Sequence, residues 1–112
     1  MRKTNPNFLN GVPELLVLQL LARREMYGYQ LVKSLQEESG QQFKFGEGCV
    51  YPLLHYLEKE KLVSSRAKEV DGRSRYYYKC TTKGEKRLAA LATEFEQVAA
   101  GIALLRGGSH AA

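Results

Sequence analysis

Few residues in this chain of 112 have the types and spacings that support catalysis. Metal binding and nucleophilic chemistry need thiol, imidazole or carboxylate groups at fixed separations. The thiols are Cys49 and Cys80, the imidazoles are His55 and His110, and no CxxC pair occurs. No metal site is expected from this set, and no cofactor. His55 stands three residues before Glu58, a helical spacing that reads as a surface pair rather than a general-base dyad. Cys49 precedes Val50 at an expected helix start, where a thiol pKa can fall. A small side chain in a tight turn is the simpler reading. The Gly46-Glu47-Gly48 segment fits neither the GxGxxG nor the GxxxxGK phosphate loop. These residues predict a protein that is not an enzyme.

Polyanion recognition is better supplied. The chain has 17 basic and 12 acidic residues, a formal charge of +5, which favours a partner such as nucleic acid. Arg66, Lys68, Arg73, Arg75 and Lys79 cluster in one stretch, opposed locally by Glu69 and Asp71. Arg73 and Arg75 share a strand face beside Asp71-Gly72, where they can reach phosphates or a minor groove; a merely solvated hairpin is the alternative. A second set lies on the outward positions of an expected helix, with His55, Tyr56, Lys59 and Lys61 interspersed by Glu47, Glu58 and Glu60. Tyr51 either gives its hydroxyl to a phosphate or packs across the helix start. The candidate DNA-binding residues are thus Tyr51, His55, Tyr56, Lys59, Arg73, Arg75 and Lys79. Tyr27 and Tyr29 are read either as core aromatics with one wet end or as neighbours of a DNA backbone, with the core favoured for Tyr29.

The elements that must position these residues follow from periodicity. Residues 1–8 read as a polar tail, and Pro13-Glu14 opens an apolar helix through Leu15, Leu18 and Leu21, with proline in the first turn. A second helix carries Leu31, Val32 and Leu35 and stops near Gly40. Val50, Leu53, Leu54 and Leu57 recur at spacings of three and four, an amphipathic third helix with Pro52 at its start. Val63–Val70 and Arg73–Cys80 then read as strands joined at Asp71-Gly72, a strong two-residue hairpin signal. Tyr76, Tyr78 and Cys80 fall on one face of the second strand and Tyr77 and Lys79 on the other. Thr82 with Glu85 suggests a capping box for a last helix, and the tail from Gly107 to Ala112 reads as disordered. The fold class is mainly α with a small β-hairpin: a winged helix-turn-helix at 9–81 and a C-terminal dimerisation helix at 82–106.

On that last helix Leu88, Leu91, Phe95, Val98, Ile102 and Leu105 recur at spacings of three and four, a heptad-like stripe. In a single small domain part of it would be exposed. Pairing in a two-fold homodimer covers it, while folding back on the first helix is the alternative; both hold if its start packs internally and its end is shared. A chain of this length has room for one domain and one core, and 44% hydrophobic residues suit a globular protein. Two thiols are too few for a secreted disulfide scaffold, no leader is evident, and no apolar run reaches about 18 residues. A cytoplasmic protein without a membrane span is expected.

Three segments carry a resemblance to a known family. Tyr27-Gly28-Tyr29-Gln30-Leu31 resembles a YGYEL segment, Gly48 to Glu58 resembles GTLYPxLxxLE, and Gly72 to Gly84 resembles GRxRKYYxLTxxG. Together they are similar to the PadR-like transcriptional regulators, from about Leu15 to Gly84. The resemblance implies a homodimeric repressor that binds palindromic double-stranded DNA and answers a small aromatic or drug-like effector. It also implies the short class, with a single C-terminal helix. Cys49 replaces a usual Thr or Ser, Lys61 a frequent Gly, Tyr76 a basic residue and Cys80 a Leu. Some short-class dimers hold flat aromatics with a tryptophan of the last helix; this chain has no Trp, and Phe95 is the nearest aromatic there. The competing reading is a non-enzymatic protein-interaction module on the same scaffold.

Overall fold

The computed structural model describes residues 4–107, with side chains from Gly11 onward. Of the expected tail from Gly107 to Ala112, residues 108–112, with His110, lie outside the described residues. Element order is α1 (Thr4–Arg23), β1 (Met26–Tyr27), α2 (Gly28–Glu38), α3 (Glu47–Lys59), β2 (Val63–Val70), β3 (Arg73–Cys80) and α4 (Thr82–Leu105). This is the order expected from sequence, with one strand added. The apolar positions of α1, α2 and α3 meet in one core: Val17, Leu18, Leu31, Val50, Leu54 and Leu57 are each at most 1% exposed. The exposed side of α3 is thereby fixed.

The sheet is antiparallel in the order β1-β3-β2. Val70 pairs with Arg73 across the turn, and Asp71 and Gly72 take φ of 54° and 76°, the doubly positive pattern of a type I′ hairpin. The added strand β1 is only two residues long and pairs Met26 with Tyr78 and Tyr27 with Tyr77. No periodicity can announce a strand that short. It explains the tyrosine run: Tyr78 and Cys80 face the core, Tyr77 is buried on the opposite face under Tyr27, and Tyr76 is 64% exposed.

Three element starts differ from expectation. Helix α1 begins at Thr4, so Pro13 lies inside it. Proline there removes one backbone hydrogen bond, yet the helix continues because its early part packs on α4; a Cβ at Gly11 would lie 3.3 Å from the Phe95 ring. Helix α3 begins at Glu47 behind the N-cap Gly46, which puts Pro52 well past the first turn. Helix α4 is capped by Thr81 rather than Thr82: the Gly84 amide donates to Thr81 Oγ1 at 3.0 Å. The cap precedes the expected residue by one because Thr81 alone has extended backbone and also donates to the Lys61 carbonyl at 2.8 Å.

The end of α3 is tightly built. The Lys61 amide donates to Glu58 O at 2.9 Å and the Leu62 amide to Leu57 O at 2.8 Å, the paired bonds of a Schellman motif. Lys61 has φ +64°, the left-handed conformation that an L side chain adopts at a cost of about 1–2 kcal/mol. Its side chain is exposed, so no packing is lost on removing it. Lys61→Gly is expected to raise the stability by about 0.5–1 kcal/mol, measured as an increased midpoint in urea at unchanged slope.

Candidate nucleic-acid interface

Helix α3 turns Val50, Leu54 and Leu57 inward, which leaves Gly48, Pro52, His55, Tyr56 and Lys59 exposed on the opposite side. Tyr51 is different. It is half-buried, and its ring lies so close over Gly28 that a Cβ there would collide with it. Gly28 is therefore the residue that admits Tyr51 to the seam between α2 and α3. Glu58 does not pair with His55, as its spacing suggested. It accepts a 2.6 Å hydrogen bond from Ser65 Oγ and so joins α3 to the wing.

The two faces of the β2–β3 wing do different work. One carries Val63, Tyr78 and Cys80 into the core; burial pushes the Cys80 thiol pKa up, so it is a packing group. On the other face Arg66 donates to both oxygens of Glu25, at 2.8 and 3.1 Å, and Lys68 Nζ lies 3.5 Å from it. Glu25 stands between α1 and β1, 41 positions before Arg66. Its hydrogen bonds with Arg66 lead, against desolvation, in holding the carboxyl at about 2. Nothing in the sequence pattern pointed to this residue, because the opposing acids sought were Glu69 and Asp71 on the wing itself.

Arg73 and Arg75 have no such carboxylate. Among the described residues no ion pair engages Arg73, Arg75, Lys59 or Lys79. Tyr51, His55, Arg73 and Arg75 line one cavity of about 610 Å³ with Tyr29 and Tyr76. The structure thus brings four of the seven candidate DNA-binding residues together between α2, α3 and the wing. Lys59 and Tyr56 stand further round α3. Tyr56 is 51% exposed. Lys79 lines a separate cavity of about 590 Å³ with Leu21, Arg66 and Glu85, away from His55. Tyr29, favoured for the core by sequence, is 50% exposed, with Lys33 Nζ 5.8 Å from its ring; it joins the outward cavity because it starts α2 facing solvent. Lys44 was not anticipated either, although it is exposed in the loop just ahead of the α3 N-cap.

The apolar stripe of α4 divides in two. Leu91 is buried and Leu88 and Phe95 pack partly against the core. Arg87 clasps Glu14 of α1 at 2.9 and 3.3 Å, and Glu14 is only 8% exposed. Beyond Phe95 the stripe is uncovered: Val98 is 37%, Ile102 51% and Leu105 90% exposed. Contrary to expectation, α4 is long and apolar enough to cross a membrane by length and composition. Its Leu91 is nonetheless packed against its own domain.

A three-helix core with a wing whose exposed helix is flanked by uncompensated arginines defines a winged-helix DNA-binding regulator. The model of the Transcriptional regulator PadR-like family matches residues 17–90, and the chain belongs to that family, whose members are non-enzymatic, DNA-binding regulators of transcription. A transcriptional regulator of Mycobacterium tuberculosis is 33% identical over 105 residues, covering 94% of each chain. A PadR-like transcriptional regulator from Bacillus cereus superposes with a TM-score of 0.78 at 32% identity, over 92% of this chain and 99% of that one. A Streptococcus transcriptional regulator gives 0.78 at 30% identity, over 93% and 99%.

The Glu25 cluster sets a pH dependence. Its carboxyl falls to about 2 on folding from the usual 4.5, so its contribution to stability is complete above 4.5 and is lost as the pH falls toward 2. Glu25→Gln should lower the thermal midpoint at pH 7, and the gap to the native chain should close between about pH 4.5 and 2, as followed by circular dichroism melts.

Proposed function

We propose that the protein is a homodimeric repressor, responsive to a ligand or to stress, that acts in the cytoplasm on a palindromic operator. The observation that carries this reading is the uncovered face of α3 beside Arg73 and Arg75, cations that no carboxylate among the described residues neutralises. In this reading 9–81 is the DNA-binding unit and 82–106 the dimerisation helix. His55, Tyr56 and Lys59 then approach the major groove, Tyr51 and Arg75 the flanking backbone, and Arg73 the groove beside the wing tip. Lys79 contributes long-range attraction to phosphate from the rear of the wing.

Dimerisation is supported by the uncovered half of the α4 stripe. Burying a leucine-sized side chain contributes roughly 1.5–3 kcal/mol, so Val98, Ile102 and Leu105 from two subunits can offset an association cost of roughly 4–15 kcal/mol. Leu88, Leu91 and Phe95 take part indirectly, by rooting the helix on its own domain. Two α3 helices would then lie about 34–36 Å apart, one turn of DNA. A small aromatic effector fits this arrangement between the subunits, with Phe95 beside it.

Two measurements test the reading. Arg73→Ala should weaken specific and random duplex alike and reduce the slope of log affinity against log salt by about one; an unaltered slope removes Arg73 from the interface. Ile102→Glu should leave the fold intact and turn a dimer into a monomer at tens of micromolar in sedimentation equilibrium, with specific DNA affinity falling together with the dimer. A native chain already monomeric at that concentration refutes the dimer and favours a surface for another protein.

A further inference from the structure

Arg75 is held differently from the other cations of the wing. Arg66 and Lys68 rest on the carboxylate of Glu25, which occupies donors of both. The Arg75 guanidinium lies over the face of Tyr27, with Cζ 4.3 Å from the ring centroid. A ring face attracts the charge through its quadrupole and leaves the in-plane N–H donors unused. Arg75 is therefore restrained in position and still able to donate a forked pair of hydrogen bonds to a phosphate.

The ring that holds it is itself fixed. Tyr27 pairs with Tyr77 through the β1–β3 ladder, and the two rings meet edge to face at 5.3 Å and 74°. The Tyr27 amide donates to Gln30 Oε1 at 3.1 Å, which locks the residue at the start of α2. Tyr77 carries Lys68 Nζ on its own ring, 4.7 Å from the centroid. The result is a ladder across the outer face of the sheet, from Glu25 through Lys68, Tyr77 and Tyr27 to Arg75. It also gives β1 a purpose: of the two arginines, Arg73 and Arg75, that border the cavity shared with His55, the strand brings Tyr27 beneath Arg75.

We propose that Tyr27 is a positioning residue for DNA binding, which presents Arg75 to a backbone phosphate in a restrained geometry with its donors free. The proposal rests on the reading of α3 and the wing as the DNA interface. It predicts that the aromatic face matters and the Tyr27 hydroxyl does not.

The test is the affinity for a specific duplex, by fluorescence anisotropy, of the native chain and of Arg75→Ala, Tyr27→Phe, Tyr27→Leu and the Tyr27→Leu/Arg75→Ala double variant. Tyr27→Leu should weaken binding by about two- to fivefold, the scale of an exposed cation–π contact. Tyr27→Phe should match the native chain, and the double variant should bind no worse than Arg75→Ala alone. A Tyr27→Leu variant with native affinity, or one whose loss persists in full without Arg75, overturns the proposal while leaving the interface reading intact. If Arg75→Ala itself binds as the native chain does, the interface reading fails at this residue and the proposal with it. Should Tyr27→Leu fold poorly, the native chain decides. The Arg75 δ-methylene protons must show an upfield ring-current shift in NMR, retained in Tyr27→Phe, and random-coil positions overturn the proposal.

Discussion

The peptide groups of Leu62 tie together four segments of the chain. Its amide closes the Schellman turn of α3 on Leu57 O, and its carbonyl accepts from the Thr81 amide at the end of β3. Gly84, in the first turn of α4, presses against that same carbonyl so closely that no Cβ would fit. Lys83 Nζ reaches the Glu60 carbonyl at 3.0 Å, placing a cation on the negative end of α3. One backbone junction thus fixes α3, the root of the wing and the start of α4 relative to one another.

Charge is sorted around this frame. Glu14 and Glu25 neutralise cations at the rear and flank of the domain, Arg87 in one case and Arg66 with Lys68 in the other. Glu38 does the same for Arg23 and Arg24. The cations left without carboxylates include Lys59, Arg73 and Arg75, on or beside the uncovered side of α3. A net charge alone says little about where a polyanion would bind; the pairing pattern leaves Lys59, Arg73 and Arg75 unneutralised beside the uncovered side of α3, and Lys79 on the rear of the wing. The Arg87 pair also matters mechanically, since Glu14 is nearly buried and would be left uncompensated without it.

Much of this was legible in the sequence. Regular spacing in α3 and α4, the Asp71-Gly72 turn and the strand alternation each gave the right element, because each records a local rule. What escaped depends on contacts between distant residues. A two-residue strand has no period, so β1 was invisible, and with it the reason for three consecutive tyrosines. The Glu25–Arg66 and Glu14–Arg87 pairs join positions 41 and 73 apart, and no pattern within either segment signals the other. Pro13 marked a helix start by local rules, but packing of Gly11 against Phe95 carried the helix past it. Tyr51, His55, Arg73 and Arg75 were found one by one from residue type, and only the fold shows that they share a cavity while Lys79 does not.

The length of α4 has a geometric consequence. Its 24 residues extend about 36 Å at 1.5 Å per residue, and it is rooted only over its first half, by the Arg87 clasp, Leu91 and Phe95. A helix held at one end behaves as a lever arm. Tilting the free arm beyond Phe95, about 15 Å long, by about 10° displaces its far end by roughly 3 Å, nearly one base step of a duplex at about 3.4 Å. If the far ends are joined in a dimer, the same rotation swings the two reading heads instead. Register on DNA would then be set by the seam between α1 and α4, far from any base.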